Sequence, residues 1–184
     1  MPENGTGRAV EVILSRLSLR GTDVVLLDGP SGAGKSTLAD RLVAAWPGDV
    51  SPTLVRMDDI YPGWGGLAAA GEHVNTHLLG PRRRGEPARW RRHDWERDAA
   101  AEWHDVPNDV PLVVEGCGIL TRKNAALATL TVWLDADDVL RKSRALARDN
   151  GGFDAHWDDW DAQFARFVRA ENPLASAMLQ LRSG

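Results

Sequence analysis

Gly29-Pro30-Ser31-Gly32-Ala33-Gly34-Lys35-Ser36 decides the reading of this chain. Two glycines with four residues between them and followed by Lys-Ser form a phosphate-binding loop. Glycine lets the backbone curl until its N–H groups converge on phosphate oxygens, and the helix that follows adds the positive end of its dipole. Gly29, Ser31, Gly32, Ala33, Gly34, Lys35, Ser36 and Thr37 are therefore the candidate nucleotide-binding residues. Lys35 reaches the outer phosphates and Ser36 is placed to hold a magnesium ion. The flanks agree. Val24-Val25-Leu26-Leu27-Asp28 reads as a buried strand, and the residues from Thr37 to Ala44 read as a helix stopped by Pro47-Gly48.

Working outward, short apolar runs recur at 53–57, 112–114 and 130–134, with a last edge strand at 177–181. Helical patterns lie between them, and Val10, Ile13, Leu14 and Leu17 mark an amphipathic helix before the first strand. Strands alternating with helices predict an α/β/α sandwich around a parallel five-stranded sheet, in one domain over 1–184. Ligands bind at the carboxyl ends of such strands. Gly29, Asp58, Asp59, Glu115 and Asp135 all stand there. Asp58 is placed to face the transferred phosphate and Glu115 to assist magnesium, while Asp59 and Asp135 read equally as turn or helix caps.

The stretch 60–93 reads as irregular and glycine-rich. A helix is expected from Asp94, because Trp95, Ala99 and Trp103 share a face. Residues 82–92 hold six arginines, at 82, 83, 84, 89, 91 and 92. They admit a solvated loop, an anion or acceptor site, or a nucleic-acid patch. Trp64 and Trp90 can stack on a base or sugar or simply wall the cleft. Asp94 can grip an acceptor hydroxyl or cap a helix. Farther on, Arg141, Arg144 and Arg148 share one helix face, with Val139, Leu140, Leu146 and Ala147 on the other. Such a face closing over phosphates neutralises developing charge, and Gly151-Gly152 reads as its hinge. Trp157, Trp160, Phe164 and Phe167 form a stripe that reads as a docking face.

Composition narrows the class. The chain has 184 residues, a formal net charge of −4 and one cysteine, Cys117. Bulk nucleic-acid binding does not fit the acidic balance, and no intrachain disulfide can form. No long apolar run suggests a membrane span, and a cytoplasmic protein is expected. The five histidines show no metal-ligand spacing. A GTPase switch would need an Asn-Lys-x-Asp guanine reader and a transporter ATPase a Leu-Ser-Gly-Gly signature, and both are absent.

Three segments together resemble the P-loop small-molecule kinases, and among them the uridine kinase-like nucleoside kinases. Residues 25–37 match that family's opening. Met57-Asp58-Asp59-Ile60-Tyr61 is similar to its Asp-x-Phe-Tyr segment, with Ile60 in place of Phe. Val113-Val114-Glu115-Gly116 is similar to its strand ending in Glu-Gly. The resemblance implies ATP and magnesium as cofactors, Asp58 as catalytic base, Tyr61 as a substrate-site residue and a magnesium role for Glu115. It also implies an arginine-bearing lid over 137–156, with Arg141, Arg144 and Arg148 against the phosphates. The acceptor region is then 58–104, with Asp58, Tyr61, Trp64, Arg92 and Asp94 as candidate contacts for a small-molecule acceptor. A monophosphate acceptor held by the 82–92 arginines, and a nucleotide-dependent switch or binding protein, are the alternatives. The first helix and last strand are candidate contacts for a homo-oligomer.

Overall fold

A computed structural model describes residues 3–148 and 152–184, with side chains from residue 6 and up to residue 147 before the gap. Five parallel strands form the central sheet: β1 (Val24–Asp28), β2 (Thr53–Arg56), β5 (Leu112–Glu115), β6 (Leu130–Asp135) and β7 (Leu179–Arg182). Their order is β2-β5-β1-β6-β7, so β1 sits at the centre with β5 and β6 paired on either side. The register sets Val25 against Val113 and Leu130, which buries β1 completely.

Alternation along each strand sends side chains to two faces. Val25, Leu27, Val113 and Val132 meet Val10 and Ile13 of α1 (Glu3–Ser15) and Leu38 and Leu42 of α2 (Lys35–Ala44). Leu26, Val55, Val114 and Trp133 face the other way. They pack against α3 (Leu67–Val74) and against Trp157, Trp160, Phe164 and Phe167 of α7 (Trp157–Glu171). Helices on both faces of a parallel sheet make the three-layer α/β/α architecture. The expected edge strand is present as β7, paired in parallel with β6.

The region after β2 departs from expectation. Residues 60–93 are largely ordered: α3, a π-helical turn at Asn75–Leu79, α4 (Gly80–Arg83) and β3 (Ala88–Asp94) fill them. Gly71 sits inside α3 because an added Cβ would come 3.1 Å from the Gly118 carbonyl oxygen, so this glycine marks a close approach and not a loop. The helix expected from Asp94 is instead β4 (Ala99–Val106), antiparallel to β3. The Asp94 carboxylate accepts from the N–H groups of Glu96 and Arg97, both at 3.1 Å, and Asp98 takes φ 47°. That turn reverses the chain, and the pairing with β3 overrides the helix preference of Ala99-Ala100-Ala101.

The remaining helices are α5 (Arg122–Ala125), α6 (Asp138–Arg148) and α8 (Pro173–Ser176). Asp137, and not Asp135, caps α6, accepting from Val139 and Leu140 N–H. The apolar face of α6 is also shifted from expectation: Ala145 is buried, whereas Val139 is 80% exposed. The hinge residue Gly151 and the Arg148 side chain lie outside the described residues. Among the described residues, no helix is long and apolar enough to cross a membrane.

Candidate active site

The phosphate loop leaves β1 and turns directly into α2. Gly34 takes φ 94° at the N-cap of α2 and supplies no side-chain cap, so the first-turn N–H groups face outward toward an anion. Gly32, at φ 79°, lets α6 dock on the loop: a Cβ there would lie 1.8 Å from the Arg141 carbonyl oxygen. A cavity of about 300 Å³ opens over this turn. Ser31, Gly32, Gly34, Lys35, Ser36 and Thr37 line one side, and Asp58, Glu115, Cys117 and Arg144 line the other.

Lys35 is buried at the base. Its Nζ donates to the Pro30 carbonyl at 3.0 Å and to Cys117 Sγ at 3.4 Å. Burial opposes its charge, yet Cys117, Glu115, Asp28 and Asp58 together raise its pKa above the usual lysine value. Burial also pushes the Cys117 thiol up, against the pull of the Lys35 charge. Ala33 is buried beneath the loop, and its carbonyl accepts from Ser183 Oγ at 2.8 Å.

Glu115 ends β5 almost fully buried. Burial raises its pKa against the pull of Lys35 and a hydrogen bond with Ser36. Ser36 and Glu115 thus present a hydroxyl and a carboxylate side by side at the phosphate cavity, with Asp58 on the same wall. Hard oxygen donors of this kind, few in number, suit magnesium shared with phosphates and water. The donor set fits the ion.

Two residues here went unremarked in the sequence. Arg56, the last residue of β2, donates to Glu115 Oε1 at 3.1 Å and pairs with Asp40 of α2. Asp28 is completely buried and accepts from Gly29, Gly118 and Leu120 N–H at 2.7, 3.0 and 2.8 Å. It ties the phosphate loop to the turn after β5, and burial raises its pKa to about 6. A strand-end carboxylate inside an otherwise apolar run was the available signal for Asp28.

A second cavity, about 330 Å³, adjoins the first and shares Ser31 and Asp58 with it. Its walls are Tyr61, Trp64, Trp95, Phe153 and Trp160. Trp64 stacks at 5.3 Å on Phe153 and at 4.3 Å on His156, both from the segment following α6. Tyr61 is buried, and its hydroxyl donates to the Cys117 carbonyl at 2.8 Å. Trp160 Nε1 donates to Ser31 Oγ at 3.0 Å, and Trp95 Nε1 to the Asp58 carbonyl at 2.9 Å. Trp160 belonged to the expected docking stripe. It is buried as that role requires, but its edge also reaches the site. Trp95 is brought in by the hairpin turn, which sequence spacing did not reveal. A larger groove of about 520 Å³ lies between α3 and α7, lined by Leu67, Glu72, Arg166 and Phe167. It touches neither the phosphate loop nor Asp58.

The arginines are dispersed. Arg82 is buried and donates to the Pro107, Val110 and Gly21 carbonyls. Arg84 pairs with Glu86, and Arg92 with Glu102. Arg89 lies 4.4 Å over the Trp103 ring, and Arg91 donates to the Ala101 carbonyl. None of them lines either cavity, so the acceptor contact expected of Arg92 is replaced by a cross-strand ion pair. Asp94 likewise caps the hairpin turn and is absent from both walls. Trp90 stacks on His104 at 4.4 Å. On α6, Arg141 is held by Asp138 and Asp161 at 2.7 and 3.0 Å, away from the loop's cavity. Arg144 does line that cavity, with its Nη2 donating to the Gly184 carbonyl at 2.8 Å.

A phosphate loop at the end of the central strand of a five-stranded parallel sheet, with a helix docked over it, defines a P-loop fold of the uridine kinase-like type. No family model matches the sequence, and no curated protein matches it. Solved structures do. One, a possible uridine kinase from Bacillus stearothermophilus, is 18% identical over 97% of both chains, with a TM-score of 0.68. Another is a fructose transport system kinase by assignment, from Silicibacter sp. TM1040. It is 20% identical over 95% of this chain and 98% of its own, with a TM-score of 0.56. At these identities the likeness establishes the fold.

Proposed function

We propose that this protein is a kinase that transfers the γ-phosphate of ATP, with magnesium, to a hydroxyl of a small acceptor, a nucleoside or a similar metabolite. The observation that carries the reading is the pair of adjoining cavities with Asp58 on their common wall. One cavity has the backbone and lysine that phosphates require. The other has the ring surfaces that a small organic molecule requires. The kinase names of both structural neighbours support the same class.

In this reading the acceptor hydroxyl lies against Asp58, which takes its proton as the new O–P bond forms and the bond from Pγ to the β–γ bridging oxygen breaks, releasing ADP. Lys35 and Arg144 stabilise the charge on the transferring group. Magnesium, when bound, offsets charge on the outer phosphates, and Ser36 with Glu115 or Asp58 would hold it. Arg56 keeps Glu115 oriented by occupying Oε1. None of the 82–92 arginines lines either cavity, which favours an acceptor without a phosphate. Function in the cytoplasm is part of the same proposal and rests on the single buried cysteine.

The test is phosphate transfer from labelled ATP across nucleosides, monophosphates, sugars, sugar acids and aminoglycosides. Asp58→Asn is expected to lower transfer by roughly 10²–10⁴-fold while ATP still binds. Undiminished transfer in that variant would remove Asp58 from the mechanism. ATP hydrolysis stimulated by a protein partner, with no acceptor labelled, would replace the kinase by a nucleotide-dependent switch.

A further inference from the structure

We infer that the acceptor carries a positive charge near its reactive hydroxyl, as an amino alcohol or aminated sugar does, and that the aromatic cavity is built to hold that cation. The inference rests on the phosphoryl-transfer reading for the purpose of the cavity, but the binding it predicts can be measured without ATP.

The cavity wall is five aromatic residues and one carboxylate, Asp58, with Ser31 and Gly152 completing it. No Lys, Arg or His stands among the described residues that line it. The polar tips of three rings are engaged elsewhere. Tyr61 Oη donates to the Cys117 carbonyl, Trp160 Nε1 to Ser31 Oγ, and Trp95 Nε1 to the Asp58 carbonyl. What these rings leave for a ligand is chiefly carbon surface, whose faces carry the negative part of the ring quadrupole. A neutral polyol would lose its water shell there and recover few hydrogen bonds. An anion would meet ring faces and a carboxylate. A substituted ammonium is attracted by both, and an indole is the best such ring.

The surroundings reinforce that charge preference. Arg92 of the hairpin pairs with Glu102 at 2.7 Å and stands 3.9 Å from Asp94. Phe153 stacks on Trp64 from beyond α6, so the segment after the docked helix itself supplies part of the wall.

The probe pair is choline and 3,3-dimethylbutan-1-ol, which share shape and hydroxyl and differ in replacing N⁺ by carbon. Binding is followed by the fluorescence of the native protein, with Trp64, Trp95 and Trp160 as reporters. Choline is expected to bind roughly tenfold or more tightly than its neutral twin. Asp58→Asn, at an exposed position that folding tolerates, should erase most of that preference, and Trp64→Leu should weaken choline binding. Equal binding of the twins, no choline binding, or a preference unchanged in Asp58→Asn would each overturn the inference. Transfer assays with glucosamine against glucose separate this idea from the one beneath it. A choline preference with no acceptor labelled by ATP refutes the kinase and leaves the cation site standing. Labelling of neutral acceptors with no choline preference refutes the cation site and leaves the kinase.

Discussion

Asp28 offers the sharpest physical test. Its carboxylate is fully buried and accepts three backbone N–H groups, yet its pKa stands at about 6 against an ordinary 3.8. Desolvation therefore outweighs the hydrogen bonds and the Lys35 charge. In the folded state the proton is held more tightly than in the unfolded chain, so between those two values the native protein binds more protons. Stability from this group is then complete below pH 3.8 and is lost as pH rises through 6. The full loss is about 3 kcal/mol, of which about 2 kcal/mol falls between pH 4.5 and 7.5. Asn resembles the protonated acid and cannot ionise. Urea unfolding of wild type and Asp28→Asn, read by tryptophan fluorescence across that range, isolates the term, since groups that do not interact with Asp28 cancel in the difference. The Asn curve should gain about 2 kcal/mol on the wild type as pH rises, whatever constant offset separates them. Parallel curves would show that the carboxylate is not penalised by burial, and the argument for its raised pKa would fail.

Other predictions follow from close contacts. Gly32→Ala adds strain at φ 79° and a Cβ that must push away the Arg141 carbonyl, so ATP should bind at least roughly tenfold more weakly while urea unfolding changes by about 1 kcal/mol; unchanged ATP affinity would mean that α6 does not form part of the nucleotide site. Arg82→Met strips donors from three carbonyls and should cost roughly 2–4 kcal/mol in denaturant unfolding, with the acceptor KM of the folded enzyme unchanged. A raised acceptor KM with full stability would return Arg82 to the binding site.

Much of the frame was legible because it is local. The glycine spacing, Lys35, Ser36 and the apolar runs each report a neighbourhood of a few residues, and a parallel sheet buried on both faces leaves little choice in how such runs pair. Asp58, Glu115 and Tyr61 reach the site because they end or follow strands whose carboxyl ends gather at the same edge of the sheet. The stretch from Trp64 to Val106 was not legible. Ala99-Ala100-Ala101 favours helix in isolation, and only pairing with Ala88–Asp94 makes it a strand. Six arginines close in sequence left a solvated loop, an acceptor site and a nucleic-acid patch all open, and alternation along β3 and the turn of α4 disperse them so that none lines either cavity. Spacing records which residues are near along the chain; charge neutralisation depends on which are near in space. So the sequence by itself determined the phosphate loop, the sheet that carries it and the acids at its edge. Tertiary structure decided that Trp95 of the hairpin meets Phe153 and Trp160 from much farther along the chain to wall one cavity, that Arg141 and Arg92 are paired away from it, and that Asp28 is buried under the loop. Those outcomes turn on long-range packing and desolvation, which no local pattern encodes.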